Sequence, residues 1–367
     1  MSLSFFGKKS VVGVDLGHST IRIVEIERSS LGWVLSKAVK FPMPDSSVRD
    51  GVIFDPEGVG NAIRTAMSKA HISASSAHVA VAGASVIVRT VRIPQMTESS
   101  LRKSIKIEAG RYVPSSVDDS YIEFEVIGKA DDQQMDVLIV AAPKEVVESR
   151  IAAVKHAGLT VESVDVEVFA SYRSLVEADE NGGWKEKTLA MVDVGSFCTT
   201  VSVVQQGVFT MTRSISQGGQ LLTDALMNYF RMSDAEAENG KAQLDISLLV
   251  DEATPKENPP LRVVQPHIDD LIREIRRSLN YFQSQQTEVD QNKTVEAILI
   301  TGGGAKLPGL AEYMAHKLGI PTIAAGVFDN PRFTHSGQED WGTGAELSIA
   351  TGLAMRSFVK AEKLKVA

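Results

Sequence analysis

The chain runs to 367 residues with 43% hydrophobic and 23% charged side chains, a globular balance too long for one ordinary core and suited to two domains. Its formal charge of -8, with no long block of one sign, argues against a general nucleic-acid binder, and no apolar run approaches the roughly 20 residues that span a bilayer. One cysteine, Cys198, excludes an intrachain disulfide and fits a reducing compartment, while 7 scattered histidines without an HExxH pattern offer no zinc motif.

Met1–Lys9 has no apolar h-region or cleavage site, so it is not read as a secretory signal and the protein is read as cytoplasmic. Phe5-Phe6 beside Lys8-Lys9 either touches a membrane surface weakly or frays and docks on the protein. Residues 11–28 read as two strands joined by a tight glycine turn, with Val11, Val12 and Val14 in one and Ile21, Ile23, Val24 and Ile26 in the other. A third strand is expected around Trp33–Val39. A helix over 56–70 opens at Pro56 and carries Val59, Ile63, Ala66 and Met67 on one face, and strands return at His78–Val81 and Val86–Ile93. Pro94 breaks the pattern. Thr97-Glu-Ser-Ser100 starts a helix up to Pro114, two strands follow at Tyr121–Ile127 and Met135–Ala141, and a helix from Lys144 to Ala157 ends at Gly158. This block reads as an inserted subdomain, after which Val161–Val166 and a helix near Val168–Val176 rejoin the first domain.

Ala178–Trp184 is a polar, glycine-rich loop between domains, and Leu189–Val204 repeats the opening hairpin. A helix opens after Gly218-Gly219 and runs through Leu222, Leu226 and Tyr229. Residues 251–260 read as a loop into a long helix at about 267–286 with Ile268, Leu271, Ile275, Leu279 and Phe282 as its core stripe. Ala297–Thr301 is a strand, and a last helix is expected at about 343–358. The division that follows is 1–93 with 159–187 as the first domain core, 94–158 as the insertion, 188–230 with 290–367 as the second domain core, and 231–289 as its smaller subdomain.

The sharpest signal is internal repetition. Val12-Gly-Val-Asp-Leu-Gly17 and Ala190-Met-Val-Asp-Val-Gly195 share one pattern, each followed by a hydroxyl-bearing turn (Ser19, Thr20; Thr199, Thr200) and another strand. Glycine lets the backbone approach an anion, and successive N–H groups with hydroxyls form a nest. Asp15 and Asp193 would repel a phosphate but suit a hydrated Mg²⁺, which takes one or two carboxylates. One copy reads as a hairpin turn; two copies, one in each half, point to shared nucleotide binding. Ile298-Leu-Ile-Thr-Gly-Gly-Gly-Ala305 adds a strand emptying into glycines, against which a base or ribose can lie, without a Walker A or Rossmann pattern. Glu274, Arg277 and Ser278 share a face of the long helix and either reach the ribose or adenine or stay solvated. Gly218-Gly219 either aims helix N–H groups at a phosphate or only starts a helix. Cys198 reads as a small core residue.

Phosphate hairpin, connecting helix, second hairpin, glycine turn and a terminal helix of small residues, in that order over almost the whole chain, resemble the actin-like ATPase superfamily. Within it, Ile93-Pro-Gln-Met-Thr-Glu-Ser-Ser-Leu101, Ile107-Glu-Ala-Gly-Arg-Tyr-Val-Pro114, Asp136-Val-Leu-Ile-Val-Ala-Ala-Pro-Lys144, Ala157-Gly-Leu159 and Asp165-Val-Glu-Val-Phe-Ala170 are similar to the PilM family of type IV pilus assembly proteins. The resemblance implies an α/β, actin-like (ribonuclease H-like) two-domain ATPase fold with an FtsA/PilM-type inserted subdomain. It implies ATP with phosphate contacts at Gly17, His18, Ser19, Thr20, Gly195, Ser196 and Thr199, and Mg²⁺ at Asp15 and Asp193. Gly302, Gly303 and Gly304 would line the adenosine, with Glu274 and Arg277 as further contacts. His18 stands where a small residue is common and Phe197 where glycine is. Hydrolysis needs a residue that orients water; Glu167 is the candidate, or else only a helix cap, so weak or no ATPase activity is expected.

The implied partner is the cytoplasmic N-terminal segment of the membrane protein PilN, held between the first subdomain and the insertion. Through it a ring of this chain would link the pilus motor ATPases to the inner-membrane alignment complex, peripheral to that membrane. Two other readings are weighed. A sugar or acetate kinase of the same fold needs larger elaborations of both domains, and an FtsA-like division tether ends in a membrane helix for which Arg356–Ala367 is short.

Overall fold

A computed structural model describes residues 10–113, 116–179, 182–251, 257–285, 294–337 and 339–358. Phe5-Phe6 with Lys8-Lys9, and the tail beyond Phe358, lie outside the described residues. Up to Pro94 the chain forms β1 (Val11–Leu16), β2 (Thr20–Ser29), β3 (Gly32–Pro42), the short pair β4 (Val48–Arg49) and β5 (Val52–Ile53), α1 (Pro56–Lys69), β6 (Ser76–Val81) and β7 (Ile87–Pro94). Next come α2 (Glu98–Ala109), β8 (Ser120–Lys129), β9 (Gln134–Pro143), α3 (Lys144–His156), β10 (Thr160–Val166) and α4 (Glu167–Tyr172), the last running on as a π turn over Arg173–Glu177. The second half holds β11 (Thr188–Val194), β12 (Thr199–Gln205), β13 (Val208–Ile215), α5 (Gly219–Phe230), α6 (Asp234–Ala242) and α7 (Pro259–Ser284). It closes with β14 (Ala297–Thr301), α8 (Leu310–Leu318), β15 (Thr322–Ala324), β16 (Phe333–His335) and α9 (Ser348–Met355).

The two halves repeat one topology. β1 lies between antiparallel β2 and parallel β6, as β11 lies between antiparallel β12 and parallel β14, giving β10-β6-β1-β2-β3 in one sheet and β15-β14-β11-β12-β13 in the other. Inner strands of this kind are covered on both faces, which is why the consecutive residues Leu189, Ala190, Met191 and Val192 are all buried although their side chains alternate. α1 is set by Asp55, whose carboxylate accepts the Gly58 amide at 2.9 Å, and by Pro56 in its first turn; it buries Val59, Ile63, Ala66 and Met67 as expected.

Four placements depart from the sequence reading. β7, expected in the first domain's sheet, pairs from Ile87 to Pro94 with β9, so the inserted sheet begins before Pro94. α3, expected in the insertion, packs on α1 in the first domain, where a Cβ on Gly60 would lie 2.5 Å from the His156 Cβ. β16 adds to the outer edge of β3, and α9 lies on β1 and α4, so this part of 290–367 belongs with the first domain. The small residues of α9 make that approach achievable: a Cβ on Gly13 would lie 1.9 Å from the Ala350 carbonyl oxygen, and one on Gly352 would lie 1.8 Å from that of Ala170. Finally, α7 begins at Pro259 instead of about 267, because Asn258 caps it by accepting the Leu261 amide at 3.2 Å, and two prolines in a first turn forgo only N–H groups that have no helical partner there.

The insertion is also joined to the second domain. β7 touches β13 through one pair, Met211 with Arg89, which makes a single eight-stranded sheet from β15 to β8. Thr90 donates its hydroxyl to the Phe209 carbonyl across this seam, and the Phe209 ring sits 4.7 Å from Phe169 and 5.1 Å from Tyr172 on the first domain's α4 segment.

Candidate functional site

The two repeated hairpins face each other at the mouth of an interdomain cleft of about 850 Å³. Each closes the same way: the Gly17 amide donates to the Thr20 carbonyl at 3.1 Å, and the Gly195 amide donates to that of Cys198 at 2.9 Å. Their tips meet, with the Ser19 hydroxyl 2.8 Å from that of Ser196 and the His18 ring centroid 5.9 Å from that of Phe197. The bulky residues at 18 and 197 therefore pack on each other across the cleft. In register, Asp15 stands opposite Arg22 and Asp193 opposite Thr200. Strand alternation then turns Thr199 away from the cleft; it is fully buried and donates to the Gln217 carbonyl at 2.8 Å. Thr199, an expected phosphate contact, thus lies outside the cleft, and Thr200 lines it instead.

Below the tips lie three carboxylates, Asp15, Asp193 and Glu167. Burial, and then the charges of Asp15 and Asp193, push the Glu167 carboxyl up to about 8. Burial, followed by Asp15, lifts Asp193 to about 6, and burial outweighs the Arg22 guanidinium 3.4 Å away to raise Asp15. Burial, with the charge of Asp15 acting on Asp193 and both acting on Glu167, outweighs the nearby arginines and disfavours ionisation, a condition a divalent cation relieves. Among the described residues no three His, Cys, Asp or Glu side chains converge on a metal position by themselves. A site of two carboxylates, waters and phosphate oxygens is what Mg²⁺ takes.

Opposite them the glycine turn lies directly on the second hairpin. Gly302 has φ 80° and a Cβ there would fall 2.0 Å from Asp193 Oδ1, while one on Gly304 would meet Val194 Cγ1 at 2.3 Å. Gly303 alone of the three faces open space, its nearest outside neighbour being Arg22 at 3.9 Å. Gly218 and Gly219 also line the cleft, but the Gly219 amide donates to the Gly195 carbonyl at 2.9 Å and the Gln220 amide to that of Ser196 at 2.8 Å. The first amides of α5 are therefore already engaged by the hairpin, and Gly218, where a Cβ would lie 2.5 Å from the Gly195 carbonyl oxygen, serves close packing. Ile268 and Leu271 of α7, with Leu307 and Leu310, give the far end an apolar wall suited to a planar base.

The model of the family described as type IV pilus assembly protein PilM matches residues 13–358. This chain belongs to that family. Cell division protein FtsA of Streptococcus pneumoniae is 22% identical over 372 residues, covering 88% of this chain and 78% of that protein. FtsA of Pseudomonas aeruginosa is 23% identical, with 88% and 85% covered. Among solved structures, the chain superposes on a PilM–PilN type IV pilus biogenesis complex with a TM-score of 0.80 at 21% identity, covering 95% of this chain and 99% of that one. MreB 5 of Spiroplasma citri bound to AMPPNP gives 0.51 at 12% identity, with 94% and 95% covered. These likenesses show the actin-like ATPase fold.

In this PilM-family chain Asp15, Gly17, His18, Ser19, Thr20, Glu167, Asp193, Gly195, Ser196, Gly218, Gly219, Gly302, Gly303 and Gly304 converge on one cleft. Glu274 and Arg277 do not. Glu274 is occupied by Arg213 at 3.1 Å and by Arg277, and the cleft is reached instead by His267, Ile268 and Leu271 of the same helix. Cys198, expected in the core, is only partly buried and lines the cleft, with burial raising its thiol above the ordinary range. Sequence reasoning passed over a charged girdle: Glu346 receives Lys306 at 2.7 Å, Lys40 at 2.9 Å and Arg22 at 3.5 Å. Although burial opposes its charge, hydrogen bonds from Lys306 and Lys40 and the nearby cations bring the Glu346 carboxyl down to about 2. It also passed over α6, where Lys241 Nζ donates to Thr223 at 2.9 Å and to Glu238 beside the glycines. No spacing rule links positions 22, 40, 306 and 346.

Proposed function

We propose that this chain is an ATP-binding scaffold of type IV pilus assembly, loaded with Mg²⁺-ATP between its domains and slow or inert in hydrolysis. The observation that carries the reading is the pair of hairpins meeting at Ser19 and Ser196 above the three carboxylates. In this reading Gly17, Ser19, Gly195 and Ser196 cradle phosphates, Asp15 and Asp193 hold the hydrated metal, and Gly303 with the Ile268–Leu271 wall receives the nucleoside. The bound metal offsets phosphate charge. Glu167, beside the two aspartates, is the candidate to orient water, and a carboxyl at about 8 holds its proton at neutral pH until a cation binds, which supports slow hydrolysis.

The partner in this proposal is the cytoplasmic N-terminal segment of PilN. The solved PilM–PilN complex with the same fold supports it, and through PilN the chain would link a motor to the inner-membrane alignment complex, as a ring on its cytoplasmic side. No helix among the described residues is long and apolar enough to cross a membrane, so contact through a partner is consistent with the fold. Calorimetry with the PilN N-terminal peptide, run with and without Mg²⁺-ATP and repeated on Asp15→Ala, tests both halves. Retained peptide binding with lost nucleotide binding is expected of the variant. A wild-type protein that binds neither ligand would overturn the proposal.

A further inference from the structure

Arg150 is the largest fully buried side chain in the described protein, only 2% exposed, and it lines the cleft. Its Nη1 donates to the carbonyls of Gly51 and Val146, the first in the turn between β4 and β5. Its Nε is buried with no partner, and among the described residues it forms no ion pair. A guanidinium taken from water without a carboxylate is costly, and two carbonyl contacts leave most of its five donors unused. The charges that feel it are Asp15, His18 and Glu167, all at the hairpin end of the cleft and away from the apolar wall at Ile268 and Leu271.

We propose that Arg150 is the contact for the outermost phosphate of the bound nucleotide, supplying from within the chain a cation that distinguishes a triphosphate from a diphosphate. The inference rests on the nucleotide-binding reading above and adds to it a residue outside every motif of the sequence. Guanidinium suits the task because its planar fork donates to two phosphate oxygens at once, with no loss of charge on burial. α3 begins at Lys144, directly after the last strand of the insertion, and Arg150 lies six residues on, about 9 Å along the helix. Ser149, next to it, accepts the Ile53 amide at 3.1 Å, so this turn of α3 touches both the β4–β5 hairpin and the phosphate end of the cleft.

The test is calorimetry of the full chain with ATP, ADP and AMP in Mg²⁺, comparing wild type with Arg150→Met, alongside thermal melts without ligand. A lost charge-assisted contact predicts ATP affinity down about 10- to 100-fold with ADP and AMP changed less than about threefold. A merely structural arginine predicts equal losses for all three, or a lowered melting temperature with no loss at all; either result, with an ATP:ADP affinity ratio within about threefold of wild type, overturns the proposal. If the methionine variant does not melt cooperatively, Arg150→Lys carries the test. Its shorter, single-point ammonium predicts a ratio reduced at least about threefold, and an unchanged ratio refutes the contact. A wild type that binds no ATP refutes the nucleotide reading itself, a result separable from the variant comparison.

Discussion

Asp193→Asn should make the ligand-free protein more stable and the nucleotide site weaker. Asp193 titrates at about 6 in the fold against an ordinary 3.8, because burial and then the neighbouring Asp15 oppose its charge. At about 1.4 kcal/mol per pH unit, ionising it in the fold costs about 3 kcal/mol more than in the unfolded chain, and partial solvent access brings the expected gain on removing the charge to about 1–3 kcal/mol. The raised carboxyl keeps its proton longer in the fold, so stability is full below the ordinary value, falls as pH rises, and is fully lost above about 6. Urea denaturation in EDTA should therefore show the asparagine variant ahead at pH 8 and by roughly half as much at pH 5. Calorimetry with Mg²⁺-ATP should show at least about a tenfold loss, because the proposed function gives this carboxylate to the metal. A variant less stable than wild type at pH 8, or an advantage growing toward pH 5, would refute the picture of mutually repelling acids that await a cation.

Gly13→Ala should lower the unfolding free energy read from urea denaturation by about 1–3 kcal/mol or more, because its Cβ would lie 1.9 Å from the Ala350 oxygen, whereas Gly303→Ala should leave stability within about 0.5 kcal/mol and weaken nucleotide binding. Thr200→Val should reduce Mg²⁺-ATP affinity at near-constant stability. Thr199→Val should do the reverse, costing about 1 kcal/mol for the bond to Gln217. Glu346→Gln should destabilise by about 1–3 kcal/mol, discounted because Lys40 and Lys306 are half exposed. Since Glu346 titrates at about 2, the deficit should be constant from pH 6 to 8 and should vanish in denaturation curves as pH falls from its ordinary value toward 2.

The hairpins were legible because a motif stated twice is rarely an accident of turn chemistry, and α1 because its cap, proline and apolar spacing agree. Thr199 was misplaced by one residue, and in a strand one residue reverses the face. Glu274 lies on nearly the His267 face of α7 at the wrong height, seven residues and about 10 Å along the axis, and Arg277 is turned roughly 80° away from that face. The paired prolines at 259 and 260 disguised a helix start as a loop. β16 is three residues long, too short for any periodicity, so the return of the chain to the first domain left no trace in the sequence. Arg22, Lys40, Arg150, Lys306 and Glu346 are single charges whose meaning exists only once the fold brings them to one cleft.

The single Met211–Arg89 pair that joins the insertion to the second domain has a mechanical meaning. Eight consecutive pairs bind β7 to β9, so pulling those strands apart along their length means shearing the whole ladder at once. The seam to β13 instead has one backbone pair, backed by the bond from the Thr90 hydroxyl to the Phe209 carbonyl. A load applied to the insertion should therefore part this seam before the β7–β9 ladder, an order that pulling on the full chain would read as a first, small step.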